Sequence, residues 1–379
     1  SGGPPWLTAA ERLVIGMVLS VVLLTVVGYL LALALGLGIP VVLILAVAGL
    51  AAGGESLYRH RLRLRAEFQP TSSLALVATI AVLGLILGYL FTRALHVTPD
   101  GLLAQYNNTW SDWSFHSSYA TAFAYGHNFP PQNPIFSGTP FRYPFAPDFA
   151  TALLLAGGWG LPTALIWPSW AMTLLALSGL ILWARRLTGS ISVGVIAVTL
   201  TLLGGGLGFW FFFGDAAHLG LVNALTHIPR SYDRFDPPTN IQWYNPILSY
   251  YLPQRSFVFG AAIFLTVLLL LTPAMQATPM LRWRETIAEL RRSWRRWSLK
   301  STPVAFLVAG ALAGLLPLFH VHSLVAIGLV TLCWAILFPR PAWLGFFVAM
   351  FVLAVPRLLM AVPGDPGAPP EHQYPKLLI

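Results

Sequence analysis

The sequence predicts an all-α polytopic integral membrane protein. Three observations carry that expectation. Of 379 residues, 56% are hydrophobic and only 9% charged, against roughly half and about a quarter in a soluble domain. The mean hydropathy is +0.71. Apolar runs recur, each on the scale of the ~20 residues that cross ~30 Å of hydrocarbon.

Hydropathy places helices near 13–38, 39–53, 71–95, 162–184, 191–213, 256–274, 303–321, 323–338 and 342–361. The first run is too long for the core of a signal peptide and reads as a retained helix. The second is short, and reads as either a tight return or an incomplete span. The corresponding divisions are N-terminal transmembrane helices over 1–95 and a first large extracytoplasmic loop over 96–150. A transmembrane core follows over 151–361, with a second outer loop at 214–254 and a basic cytoplasmic helix at 281–300. Residues 362–379 read as an extracytoplasmic tail.

The net charge of +9 does not indicate nucleic acid. The positive charges form short juxtamembrane clusters: Arg59, Arg61, Arg63 and Arg65; Arg185 and Arg186; Arg282 through Lys300; and Arg340. With the N-terminus inside, all fall on the cytoplasmic side. The segment LRWRETIAELRRSWRRW reads as a basic amphipathic helix drawn to anionic lipid, with a calmodulin-type target as the lesser alternative. Cys333 has no partner for an internal disulfide.

The same orientation collects the polar and aromatic residues outside. Asp112 and His116 are four apart in SDWSFHSSYATAFAY, so a helix puts them on one face with Tyr119 and Phe123. A carboxylate beside an imidazole suits a base and its partner, or two metal ligands. Equally, Thr109-Trp110-Ser111-Asp112 fits a capping box. FRYPFAPDF brings Arg142, Tyr143 and Asp148 around two prolines that fix a turn. Such a turn aims an Arg at a phosphate, or anchors Arg and Tyr at headgroup level.

In PLFHVHS, His320 and His322 stand at the outer end of a helix pair, where ionisable groups are costly and suggest function. The pair suits a metal, carbonyls, or a phosphate or sugar hydroxyl. A divalent metal is not favoured, because no C-x-x-C or H-E-x-x-H accompanies it. The second loop carries His227, Arg230, Asp233, Arg234 and Asp236, whose alternating signs suit a solvated, self-paired loop. Arg255 opens the next helix, where the helix dipole disfavours a cation, so an anionic ligand is one reason for its presence. GGGLG at 204–208 lacks the strand and Lys of a phosphate loop and reads as a site of close helix packing. Asn107 begins a glycosylation sequon.

The order of these features resembles the GT-C superfamily of polytopic glycosyltransferases, which includes protein O-mannosyltransferases and the aminoarabinose transferases of lipid A. Asp112 stands at the acidic position on a short amphipathic helix of the large outer loop. AYGHNFPPQNPIFSG matches the middle of that loop, and FRYPF stands where a basic-Pro-Pro turn is expected. The chain is also similar to prokaryotic multi-pass proteins with D-W-S-F-H, L-P-Q-R and P-L-F-H-x-H motifs. Trp113 stands where a second acid often follows, and Phe145 where the second Pro does.

The resemblance implies a GT-C-like helical bundle in a prokaryotic plasma membrane and a polyprenyl-phosphate sugar donor. The outer placement of the polar loops puts the site at the extracytoplasmic face, where Asp112 and His116 are expected to be catalytic, Asp112 accepting the acceptor's proton. Arg142, Tyr143, Asp148, Arg255, His320 and His322 are then expected to bind substrate, with loop aromatics stacking on sugar. Membrane lipids and other membrane subunits are the expected partners. The alternative is a non-catalytic GT-C-like scaffold or subunit of a larger complex. A transporter fits less well, because the polar groups gather at one face and no inverted repeat is visible.

Overall fold

The computed structural model describes residues 7–67, 70–106, 109–136, 141–205, 208–230, 232, 245–296 and 304–361. The chain is a helical bundle. Its helices are α1 (Ala9–Leu35), α2 (Ile39–Glu67), α3 (Pro70–Ala94), α4 (Thr109–Ala124), α5 (Ala146–Ala156), α6 (Leu161–Thr188) and α7 (Ile191–Leu203). They continue as α8 (Gly208–Leu219), α9 (Leu221–Thr226), α10 (Arg255–Ala277), α11 (Trp283–Arg296), α12 (Val304–Phe319), α13 (Val321–Leu337) and α14 (Ala342–Ala361). One feature departs from the all-α expectation. After α3 the chain forms a two-stranded antiparallel hairpin, β1 (Leu95–Thr98) and β2 (Gly101–Ala104), with Leu95 opposite Ala104. Gly101 turns it at φ 127°, a backbone setting that only glycine adopts freely.

Among the described residues five helices, α1, α3, α6, α10 and α14, are long and apolar enough to cross a membrane. The expected span 39–53 becomes the apolar half of a longer α2, and 303–321 and 323–338 become the shorter α12 and α13. The run 191–213 is not one helix: α7 and α8 meet at a 73° bend. Gly204 therefore caps α7 and Gly208 opens α8, rather than packing inside one helix, although Gly205 does approach closely, its missing Cβ position lying 3.0 Å from Asn245 Cα. Nor was α5 foreseen: it lies within and beyond the end of the first polar loop. Asn107, Asp233, Arg234, Asp236, Lys300 and the tail 362–379 lie outside the described residues, as do the side chains of Arg59, Arg61, Arg63, Arg65, Arg295 and Arg296.

Contacts between helix ends sort the chain onto two faces. On one, Glu11 at the start of α1 makes a bidentate pair with Arg186 at the end of α6. On the same face Arg340 donates to Met275 O (2.9 Å) and Thr278 O (3.2 Å) at the end of α10, and Leu281 N donates to Pro339 O. The opposite face gathers the hairpin, α4, α5, the start of α10 and the junction of α12 with α13. Trp113 Nε1 donates to Leu252 O at 3.0 Å, and the Cβ position of Gly260 lies against His320. α13 thus runs beside α10 from one face to the other, and α12 and α13 form an up–down pair.

In lipid, helices gain little from burying apolar surface against each other, so close packing has to hold them. α12 supplies it with GALAG, residues 310–314. Gly310 sits against the backbone oxygen of Phe346, and a Cβ at Gly314 would lie 2.6 Å from Met350 O. Phe306 and Trp343 stack edge-on one turn earlier, at 5.1 Å. The successive pairs 306/343, 310/346 and 314/350 make α12 and α14 parallel neighbours. Substituting Gly310→Leu must push two backbones apart. The expected cost is about 3 kcal/mol or more, the upper end for overpacking, seen as a lowered Tm in detergent. An unchanged Tm would show that the α12–α14 contact is not rigid.

Candidate functional site

The site is built from three parts of the chain. α4 contributes one face. Thr109, Trp113, His116, Ala120 and Phe123 are buried at helical spacing, while Ser111 and Ser114 face out. The capping-box expectation is not met. Thr109 is already helical, its hydroxyl accepts from Tyr106 N and donates to Tyr106 O, and Asp112 makes no cap hydrogen bond among the described residues. The segment 141–145 forms the second part, and α5 follows it with Pro147 in its first turn and no side-chain cap. Proline suits that position because its missing N–H would be unpaired there in any case. The third part is the start of α10 together with the α12–α13 junction.

Together they enclose a cavity of about 390 Å³ lined by Asp112, His116, Tyr143, Ser256, His320 and His322, with Phe115, Gln254 and Phe257 among the remaining walls. Five of the residues expected at a site therefore do meet: Asp112, His116, Tyr143, His320 and His322. Gln254, Ser256 and Phe257 were missed. Gln254 belongs to the L-P-Q-R motif and Ser256 and Phe257 follow it directly.

Arg255 and Asp148 are not in that cavity. Both side chains are fully buried, at 0% exposure, so neither is placed to touch a substrate. Arg255 donates to Thr151 Oγ1 (2.6 Å), Ser169 Oγ (3.0 Å), Pro147 O (3.2 Å) and Asp148 Oδ1 (3.4 Å). The cation at a helix start is thus explained by a protein carboxylate. Asp148 in turn bridges to the cavity wall. His116 Nδ1 lies 2.9 Å from its Oδ1 and 3.0 Å from its Oδ2. With Nδ1–H donating to a carboxylate, the neutral ring carries its lone pair on Nε2. The result is a chain Arg255–Asp148–His116 that ends at the cavity.

Arg142 does not line the cavity either, and its Nε is buried without a hydrogen-bond partner. Tyr143 does, with its hydroxyl 3.3 Å from Ser256 Oγ. Burial pushes its pKa up to about 12, and Asp148 and Asp112 add to the rise, so the phenol stays a donor at neutral pH. Burial likewise raises the Asp112 carboxyl above its ordinary 3.8, and His116 works against the rise. At the far wall His320 Nδ1 lies 2.8 Å from Ser323 Oγ, and the His320 and His322 rings are 5.2 Å apart. No cluster of three or more His, Cys, Asp or Glu suited to a metal occurs among the described residues.

The loop aromatics mostly serve another end than sugar stacking. Tyr119, Phe123, Phe141, Phe145 and Phe149 are buried together, with Tyr29 of α1 packed edge-on against Phe149 at 5.4 Å. This small core fixes α4 and α5 to α1. Phe115, Phe257 and Tyr143 are the rings left on the cavity. One anchor went unread: Arg357, a lone cation in the apolar α14. It donates to Phe141 O (3.2 Å) and Tyr143 O (2.9 Å) and so holds the turn that presents Tyr143. An ionisable group inside a span was the available signal.

In the second loop, the self-paired reading holds for Arg230, which makes a bidentate pair with Asp215 at 2.7 and 2.8 Å. His227 is exposed beside Thr226 Oγ1. Next to the cavity lies a second hollow of about 470 Å³ between α13 and α14. Its wall is entirely apolar and begins at Leu324, two residues beyond His322, continuing through Gly328 and Leu332 opposite Phe347, Met350 and Leu358. Compared with known proteins, the chain matches no family model, no curated sequence and no solved structure.

Proposed function

We propose that the chain is a GT-C-like glycosyltransferase that moves a sugar from a polyprenyl-phosphate donor to an acceptor at the extracytoplasmic face of a prokaryotic plasma membrane. The observation that carries the reading is one cavity joining a desolvated carboxylate to three imidazoles, opening beside an apolar groove. A donor with a charged head and a hydrocarbon tail needs both compartments, and the groove begins within a turn of the histidines. The resemblance in the sequence supplies the reaction class.

In this mechanism the acceptor oxygen attacks the sugar's anomeric carbon, and the bond from that carbon to the phosphate oxygen breaks. The electron pair leaves with the polyprenyl phosphate, and the acceptor proton passes to Asp112. His320, His322, Ser256 and the Tyr143 hydroxyl are the hydrogen-bonding groups around the charge developing on phosphate. His116, fixed by Asp148, offers Nε2 to a substrate hydroxyl. Arg255 acts on this site only through Asp148.

The direct test is native mass spectrometry of the protein in nanodiscs supplied with undecaprenyl phosphate. One lipid per chain is expected, displaced when Leu324→Trp fills the groove. A scaffold reading would instead gain from stoichiometric protein partners and no retained prenyl phosphate, and that outcome would overturn the proposal.

A further inference from the structure

The α8–α9 segment takes no part in the cavity and carries a surface that a solvated loop does not explain. α7 has 13 residues, or roughly 20 Å by the ~1.5 Å rise per residue, short of the ~30 Å of hydrocarbon. The chain then turns through 73° into α8. If α7 stands near the membrane normal, α8 lies near the membrane plane and below its boundary. α9 folds back beside it.

The exposed side chains fit that depth. Ile196, Leu200 and Leu203 face outward on α7 at 56%, 67% and 69% exposure. Phe209, Trp210 and Phe213 on α8 and Val222 and Leu225 on α9 are exposed as well, and they form the apolar surface of the segment. Its ring content is that of a membrane–water boundary, where Trp concentrates.

The charges of the hairpin are closed on themselves. Asp215 takes both bonds from Arg230 and a third from Tyr232 Oη at 2.7 Å, and the Arg230 guanidinium lies over the Phe211 ring at 5.2 Å. Such a paired set tolerates low dielectric better than lone charges do.

We infer that α8–α9 is an in-plane interfacial hairpin, embedded in the headgroup–acyl boundary of the leaflet on the cavity's face, with the bilayer itself as its partner. This goes beyond the proposed reaction and does not depend on it. The hairpin is tied to the site through Gly205, which packs on Asn245. Asn245 Oδ1 accepts from Ile247 N at 2.9 Å and opens the π-helical turn Ile247–Tyr251 that leads to Gln254.

The test is site-directed spin labelling of Val222→Cys and Leu225→Cys in a Cys333→Ser background, in vesicles of phosphatidylethanolamine and phosphatidylglycerol. Leu329→Cys serves as the deep reference and a free water-soluble nitroxide as the aqueous one. Collisions with oxygen are expected to exceed those with a neutral nickel chelate several-fold, with a depth between the two references. Relaxation dominated by the chelate would place the hairpin in water and overturn the inference. Low access to both reagents would show a protein partner or a second copy covering it, and would overturn it equally.

Discussion

Asp148→Ala is expected to destabilise the bundle by about 3–5 kcal/mol, the range for removing one partner of a buried ion pair. The cost comes less from the lost attraction than from what remains. Arg255 is left at 0% exposure with only neutral acceptors, Thr151, Ser169 and Pro147 O, around its charge. The double variant Asp148→Ala/Arg255→Met removes both charges and should recover a large part of the loss, because contacting residues are not additive. Thermal denaturation of the four proteins in one detergent reads the cycle. Additive effects would mean that the pair is not coupled as its geometry indicates.

Asp112→Asn should lower turnover by roughly 10²–10⁴, the usual span for losing an acid–base group, and leave Tm nearly unchanged. It keeps the shape of the side chain and cannot accept the proton. The sign of the pH dependence follows from burial. A base works deprotonated, and this carboxyl is raised above 3.8. kcat/KM should therefore fall on the acid side at a pH above that of an ordinary aspartate, and the Asn variant should lack that limb. His116→Gln tests the neighbouring ring. It should lose activity as well, through Nε2, but without erasing the acid limb that belongs to Asp112. The assay is sugar transfer or release from polyprenyl-phosphate donors in nanodiscs. Wild-type rates in Asp112→Asn would end its assignment as the base.

Much of the architecture could be read from hydropathy, because a span has to be long and apolar whatever it packs against. What could not be read was where a run breaks. The apolar stretch 191–213 has one hydropathy signature, but α7 ends at Leu203 and α8 sets out at 73° to it. Spacing on one helix was legible too, and it brought Asp112 and His116 to one wall.

The protein partner of Arg255 was hidden from the sequence for a physical reason. A cation at a helix start calls for an anion, and the sequence does not say whether that anion is a ligand or a residue 107 positions away. Ser169 and Thr151 stayed invisible because hydroxyls in apolar helices usually bond their own backbone. Ser169 does so with Leu165 O at 2.8 Å, while its oxygen also accepts from Arg255. The aromatic density of the loop was real, but most of its rings serve as a core.

The α13 helix behaves mechanically as a beam clamped at both ends. At the cavity end His320 and Ser323 are pressed against Gly260, and at the other Arg340 grips the last turn of α10. Its middle turns Ile327 and Thr331, at 0% exposure, to the core and Val325 and Leu329, more than half exposed, to the groove, while the opposite side of the groove, α14, is backed by α12 through bare backbone. A clamped beam bows without moving its supports. Bowing of that middle would widen the groove only by uncovering Ile327 and Thr331, and would leave the histidines at the clamped end where they are.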